Sequence, residues 1–160
     1  MLKHWLRNWL RHWLLAAALT LALPIAAAET APALVDAAWL KAHADDIVVV
    51  DLQEPKAFQR FHIPGAVSLP YDRWRTSAPK GNKNPALLES MLPDVAALAA
   101  MLGESGVGND DHVVIVATGR GAGDLAAAAR VFWTFNVLGH DAVSVLDGGL
   151  VAYADTGGRL

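Results

Sequence analysis

The chain of 160 residues contains no cysteine. Disulfides, thiolate zinc sites and thiol nucleophiles are therefore excluded. Charge is sparse as well: charged residues make up 18% and hydrophobic residues 54%, a balance that supplies a core and argues against disorder. Acidic residues are absent from the first 28 positions, and basic ones are scarce after them. Lys3, Arg7 and Arg11 precede Glu29, leaving 10 basic against 16 acidic groups and a net charge of −6 with neutral histidines. A domain with that balance lacks the clustered positive charge of a nucleic-acid partner. Long linkers, internal repeats and low-complexity runs are missing too, and the length suits one domain.

What is present at the N-terminus reads as a secretory signal over residues 1–28. A basic start is followed by the apolar run Trp13–Leu23, the helix breaker Pro24 and the small residues Ala26-Ala27-Ala28. Trp5, Trp9 and Trp13 recur every four residues, as do Lys3, Arg7 and Arg11; the offset of two places the series on opposite helical faces, as at a membrane surface. An uncleaved anchor is the alternative, but Trp13–Ala28 is shorter than the ~20 residues that span a bilayer. The expected location is therefore exported, periplasmic or secreted, with membrane contact only through this segment, and residues 29–160 form one domain.

In that domain, short β-branched runs alternate with helical patterns. Ile47–Asp51, Val113–Ala117, Val143–Leu146 and Ala66–Leu69 read as buried strands, with a fifth candidate near Leu34. Helices are expected over Asp36–Ala44, Asp94–Leu102 and Asp124–Leu138, with a short one after Gly149. On the longest, the buried stripe is read as Leu125, Ala128, Ala129, Phe132, Trp133 and Asn136. Tyr71–Leu88, polar and rich in Pro, Gly and Asn, reads as a long surface loop. This alternation predicts an α/β fold, a three-layer sandwich around a mainly parallel sheet of about five strands. Sites in such folds form at the carboxyl ends of strands, so the loop after Val113–Ala117 is the first place to look.

Particular residues carry expectations of their own. Pro64-Gly65 is a turn pair with positive φ expected at Gly65. Asp51, ending its strand, is placed to accept hydrogen bonds from the turn that follows. Asp147-Gly148-Gly149 permits a tight strand-to-helix turn. His62 beside its turn is read as structural. The six histidines show no metal-ligand spacing, and nothing calls for a cofactor or metal. Gly119-x-Gly121-x-Gly123 only partly matches a dinucleotide loop, since the third glycine is out of register.

Val48–Pro70 (VVVDLQEPKAFQRFHIPGAVSLP) and Val143–Leu150 (VSVLDGGL), with the strand, glycine-bearing loop, long helix and Leu-Gly-His step of Val113–His140 between them, resemble the rhodanese family. That resemblance covers roughly Ala33 to Gly157 and implies sulfurtransferase biology of the thiosulfate or mercaptopyruvate type. In catalytic members a Cys after the central strand takes the outer sulfur of thiosulfate as a persulfide. Here the equivalent loop is Ala117-Thr118-Gly119-Arg120-Gly121-Ala122-Gly123-Asp124, with the Cys position near Ala117, so no catalytic residue is expected. The resemblance is to the inert first domain of a tandem protein, implying a second, Cys-bearing rhodanese domain as partner. The alternative is a stand-alone inactive module that binds an anion or a protein. Asp124 is expected to cap its helix and compete with any anion for the loop amides. The family commonly has Arg where Gln53 stands, so an ion pair to Asp51 is expected to be lost. Exported protein should begin at Glu29 on N-terminal sequencing; intact Met1–Trp13 on washed membranes would indicate the anchor instead.

Overall fold

The computed structural model describes residues 32–77 and 89–160. Five strands are described: β1 (Leu34–Val35), β2 (Ile47–Asp51), β3 (Val67–Ser68), β4 (His112–Val116) and β5 (Val143–Leu146). They form one sheet in the order β1-β5-β4-β2-β3, with every pairing parallel. The helices are α1 (Ala37–Ala42), α2 (Pro55–Phe58), α3 (Val95–Glu104), α4 (Ala122–Val137) and α5 (Gly149–Asp155). A three-layer α/β sandwich results, as the alternation of buried runs and helical patterns predicts.

The central strand shows why the sheet needs cover on both sides. Along β4, Val113 and Ile115 enter one core with Trp74, Leu98, Val131 and Phe135. Val114 and Val116 enter the other, with Leu40, Ile63, Leu150 and Tyr153. Side chains alternate along a strand, so a run that is apolar at every position must be buried on both faces. Two helices are capped at their starts: the Asp36 carboxylate accepts from Trp39 N–H at 2.7 Å, and Asp94 accepts from Ala96 N–H at 2.9 Å. The far end of the sheet is also tied. Ser144 Oγ donates to Pro32 O at 2.6 Å, leaving its lone pairs to accept from His112 Nε2 at 2.8 Å. Burial, together with His43 and His140, lowers the His112 pKa, so the neutral ring that makes this bond is favoured.

Two expectations fail here. Tyr71–Leu88 is not surface loop throughout: Tyr71–Trp74 is a 3-10 turn, and Trp74 is wholly buried. Its indole donates to Leu69 O at 3.1 Å, and its ring lies 5.3 Å from that of Phe135. Two aromatics, Tyr71 and Trp74, amid polar neighbours gave no period to read, yet Trp74 plugs the core between β3 and α4; residues 78–88 of the stretch lie outside the described residues. The stripe assigned to the longest helix holds only at Ala128, which is buried, and at Phe132, which packs against the core. Ala128, Val131, Thr134 and Phe135 are the buried residues of α4, whereas Leu125 and Trp133 face outward. Two apolar stripes share this helix, and only one can meet the sheet. Trp74→Ala should cost about 3–5 kcal/mol, read as a lower midpoint in urea unfolding; a loss below 1 kcal/mol would mean the ring is dispensable to the core.

Candidate functional site

β4 and β5 are neighbours in the sheet, so the loops leaving their carboxyl ends lie side by side. After β4 the backbone runs through Ala117 and Thr118 beneath the start of α5. Ala117 O accepts from Leu150 N–H at 2.9 Å and Thr118 O from Val151 N–H at 3.1 Å. The first-turn amides of a helix have no intrahelical partner, and here two of them are satisfied by these carbonyls. The contact is close enough to require glycine on both sides. Gly119 has φ +85°, and a Cβ there would lie 1.9 Å from Gly148 O. Gly149 has φ +60°, and its Cβ would lie 2.3 Å from Ala117 O. Asp147, just before this crossing, donates its N–H to Val35 O at 2.8 Å and keeps its side chain exposed.

The glycines read together in the sequence therefore separate. Gly119 is demanded by backbone crowding, whereas a Cβ at Gly121 or Gly123 would meet open space. Asp124 is also displaced from its expected place. The N-cap of α4 is Gly121 and the helix begins at Ala122, so Asp124 lies in the first turn. It therefore does not cap the helix, but its carboxylate engages a loop amide as expected, accepting from Arg120 N–H at 2.8 Å. A first-turn acid gains from the helix dipole while engaging a loop amide.

A pocket of about 280 Å³ opens between this loop and β5, with Ala117, Leu125, Ala128 and Val145 among its apolar walls. Arg120, Asp124 and Asp147 supply its charged edge, two carboxylates against one guanidinium. Ala117 itself is buried. Thr118, the loop's hydroxyl residue, does not line the pocket. The arrangement offers shape and hydrogen bonds but no sulfur nucleophile.

The second motif abuts the same strand ends. Asp51 pairs in register with Val116, and Leu52 N–H donates to Val116 O at 2.9 Å. The Asp51 side chain is fully buried. It accepts from Gln53 N–H at 2.8 Å and from Gln53 Nε2 at 2.9 Å, and the same amide also donates to Phe61 O at 3.1 Å. The ion pair expected to be lost is thus replaced by a neutral partner. Burial holds the Asp51 carboxyl above its ordinary value, against the opposing pull of the two Gln53 hydrogen bonds and of His62. His62 Nδ1 donates to Phe58 O at 2.7 Å, and its ring stacks on Phe58 with centroids 4.1 Å apart; both contacts tie it to the preceding helix. Pro64-Gly65 forms the expected turn, with Gly65 at φ +83°. Reading the sequence missed the part played by the Leu150 and Val151 amides, for which the Gly-Gly pair opening a helix was the available signal.

Gly65 and Gly119 make a matched test. Gly65→Val should destabilise by roughly 1–3 kcal/mol, from backbone strain alone because its surroundings are open. Gly119→Ala, although it adds a smaller side chain, should cost more, about 3–5 kcal/mol, because the methyl meets backbone that cannot move aside. Equal losses in chemical denaturation would refute the close crossing.

Comparison with known proteins agrees with this geometry. Residues 36–156 match the rhodanese-like domain family. The chain is 39% identical over 125 residues to thiosulfate/3-mercaptopyruvate sulfurtransferase 2 of Arabidopsis thaliana, covering 78% of this chain and 31% of that protein. It is 40% identical over 98 residues to the thiosulfate sulfurtransferase of Cricetulus griseus, covering 61% of this chain and 30% of that protein. Among solved structures, YnjE matches with a TM-score of 0.61 at 26% identity, over 78% of this chain and 29% of that one. The Escherichia coli 3-mercaptopyruvate sulfotransferase SseA matches with a TM-score of 0.55 at 23% identity, over 73% of this chain and 40% of that one. The chain thus spans about a third of the length of the curated relatives it matches. With five parallel strands, the paired loops at the ends of β4 and β5 and a family match over most of its length, the chain belongs to the rhodanese family.

Proposed function

We propose that this chain is a cysteine-free, non-catalytic unit of a thiosulfate- or mercaptopyruvate-type sulfurtransferase, exported from the cytoplasm and working beside a Cys-bearing rhodanese domain. The observation that carries the reading is the residue at the head of the site loop. Sulfur transfer requires a thiolate to attack the outer sulfur of thiosulfate, break the S–S bond, release sulfite and hold the sulfur as a persulfide. At that place stands Ala117, buried and with its carbonyl engaged by α5. No other position supplies a thiol, since the sequence has none. A hydroxyl is a poor sulfur carrier, and Thr118 has no base assigned to activate it.

Free anion binding, the function of a stand-alone module, is the less favoured reading. Arg120 and the loop amides suit an anion, but Asp124 already holds the Arg120 amide, and Asp147 adds a second negative charge to the pocket edge. Export rests on the basic, apolar and small-residue sequence of residues 1–28, and a companion domain rests on the greater length of the relatives.

Purified protein should form no thiocyanate from thiosulfate and cyanide above the uncatalysed rate. Mercaptopyruvate as donor should give the same result. Turnover by homogeneous protein that disappears in Thr118→Val would overturn the proposal and identify the hydroxyl as the sulfur carrier. Turnover that survives this substitution would overturn it equally.

A further inference from the structure

Three charged side chains edge the pocket between the loop after β4 and the turn after β5: Arg120, Asp124 and Asp147. Arg120 forms no ion pair with either carboxylate; the ion pair found among the described residues is Arg75 with Asp72, on the 3-10 turn after β3. The backbone fixes where each of the three begins. Asp124 lies in the first turn of α4 and gives one oxygen to Arg120 N–H at 2.8 Å. Its second oxygen has no partner among the described residues. Asp147 donates its N–H to Val35 O at 2.8 Å, so its exposed carboxylate leaves the turn from a fixed point. The remaining walls are mainly apolar. Ala117, Ala128 and Val145 are buried there, and Leu125 adds an exposed side wall.

We propose that this pocket binds a small α-amino acid with an apolar side chain, in its zwitterionic form. Arg120 takes the carboxylate, Asp124 and Asp147 take the ammonium, and the side chain lies against Ala117, Leu125 and Val145. Charge selects the class of ligand. A simple anion would meet two carboxylates for one guanidinium, and a simple cation would meet the guanidinium. A ligand that carries both signs answers all three groups. The donors match as well. An ammonium has three N–H groups to share between two carboxylates, and a guanidinium grips a carboxylate through two parallel bonds. Size sets the limit: a volume of about 280 Å³ lies just below the ~300–1,000 Å³ of sites for drug-sized molecules. Apolar walls around a few convergent polar groups are the usual make-up of a small-molecule site. The assignment rests on the reading of this pocket as a site without sulfur chemistry, and it adds the ligand that such a site can hold.

Titration of the purified protein with L-leucine, followed by amide NMR, tests the assignment. Saturable shifts are expected at Arg120, Gly121, Asp147 and Gly148. N-acetyl-L-leucine lacks the ammonium, and L-leucine methyl ester lacks the carboxylate. Each should bind roughly tenfold more weakly or worse, the loss of one charge-assisted contact. Glycine betaine, whose cationic nitrogen has no N–H, and thiosulfate should also bind more weakly than leucine. Arg120→Gln should weaken leucine while leaving its methyl ester unchanged, a split that a merely structural role would not produce. Asp147→Asn should weaken leucine and its methyl ester while leaving the N-acetyl form unchanged. Both side chains are exposed, so both variants should fold. Absence of saturable shifts at tens of millimolar leucine, equal binding of either blocked form or of betaine, or an unchanged preference in Arg120→Gln would overturn the assignment. Thiosulfate binding tighter than leucine would overturn it too and favour the anion-binding module. None of these readouts involves turnover, so failed leucine binding would leave the sulfurtransferase proposal standing, and thiocyanate formation would overturn that proposal by itself.

Discussion

The close backbone crossing between the loop after β4 and the turn after β5 is the constraint on which the rest of the site depends. Two carbonyls, of Ala117 and Thr118, satisfy two amides at the start of α5, and Gly119, Gly148 and Gly149 provide the room. Each hydrogen bond contributes a modest net amount, about 0.5–1.5 kcal/mol. The larger effect is geometric. With both loops tied to each other, the orientation of α5 on the sheet, the burial of Leu150 and Tyr153, and the shape of the pocket are set together.

The same crossing explains how the family frame stands in a chain without cysteine. A sulfur-carrying thiolate is one side chain, whereas the carbonyl contacts that hold its loop belong to the backbone and survive replacement of that side chain by alanine. The neighbouring Asp51 motif shows a parallel exchange. Gln53 supplies two hydrogen bonds to the buried carboxylate without a compensating charge, and burial holds the Asp51 carboxyl above its ordinary value. A folded-state pKa above the unfolded one means that folding takes up protons between the two values. The cost of charging Asp51 is therefore absent at low pH and grows as pH rises through the folded value.

The sheet was legible because β2, β4 and β5 are apolar at nearly every position, a pattern that only strands covered on both faces sustain. The turn residues Pro64, Gly65, Gly148 and Gly149 were legible for steric reasons that are local in sequence. Trp74 was not, because two aromatics in a polar stretch set no period, and its burial is decided by Phe135, a residue of a distant helix. The stripe of α4 was misread because the helix is apolar on two faces; sequence shows both but not which of them meets the sheet. Among the loop glycines, Gly119, Gly121 and Gly123 look alike in sequence, and only the approach of Gly148 from another loop distinguishes the first. Residues 1–28, expected to be a secretory signal, lie outside the described residues.

The central claim is that the loop after β4, to which the proposal assigns the place of the family's sulfur carrier, is here a closed structural joint. Amide hydrogen exchange at Leu150 and Val151 tests it most directly, because these are the two donors that close the joint. Protection of both amides at the level of the β4 and β5 backbone, with exchange only on global unfolding, is the predicted result. Exchange at the rate of an open loop, while β4 and β5 stay protected, would contradict it.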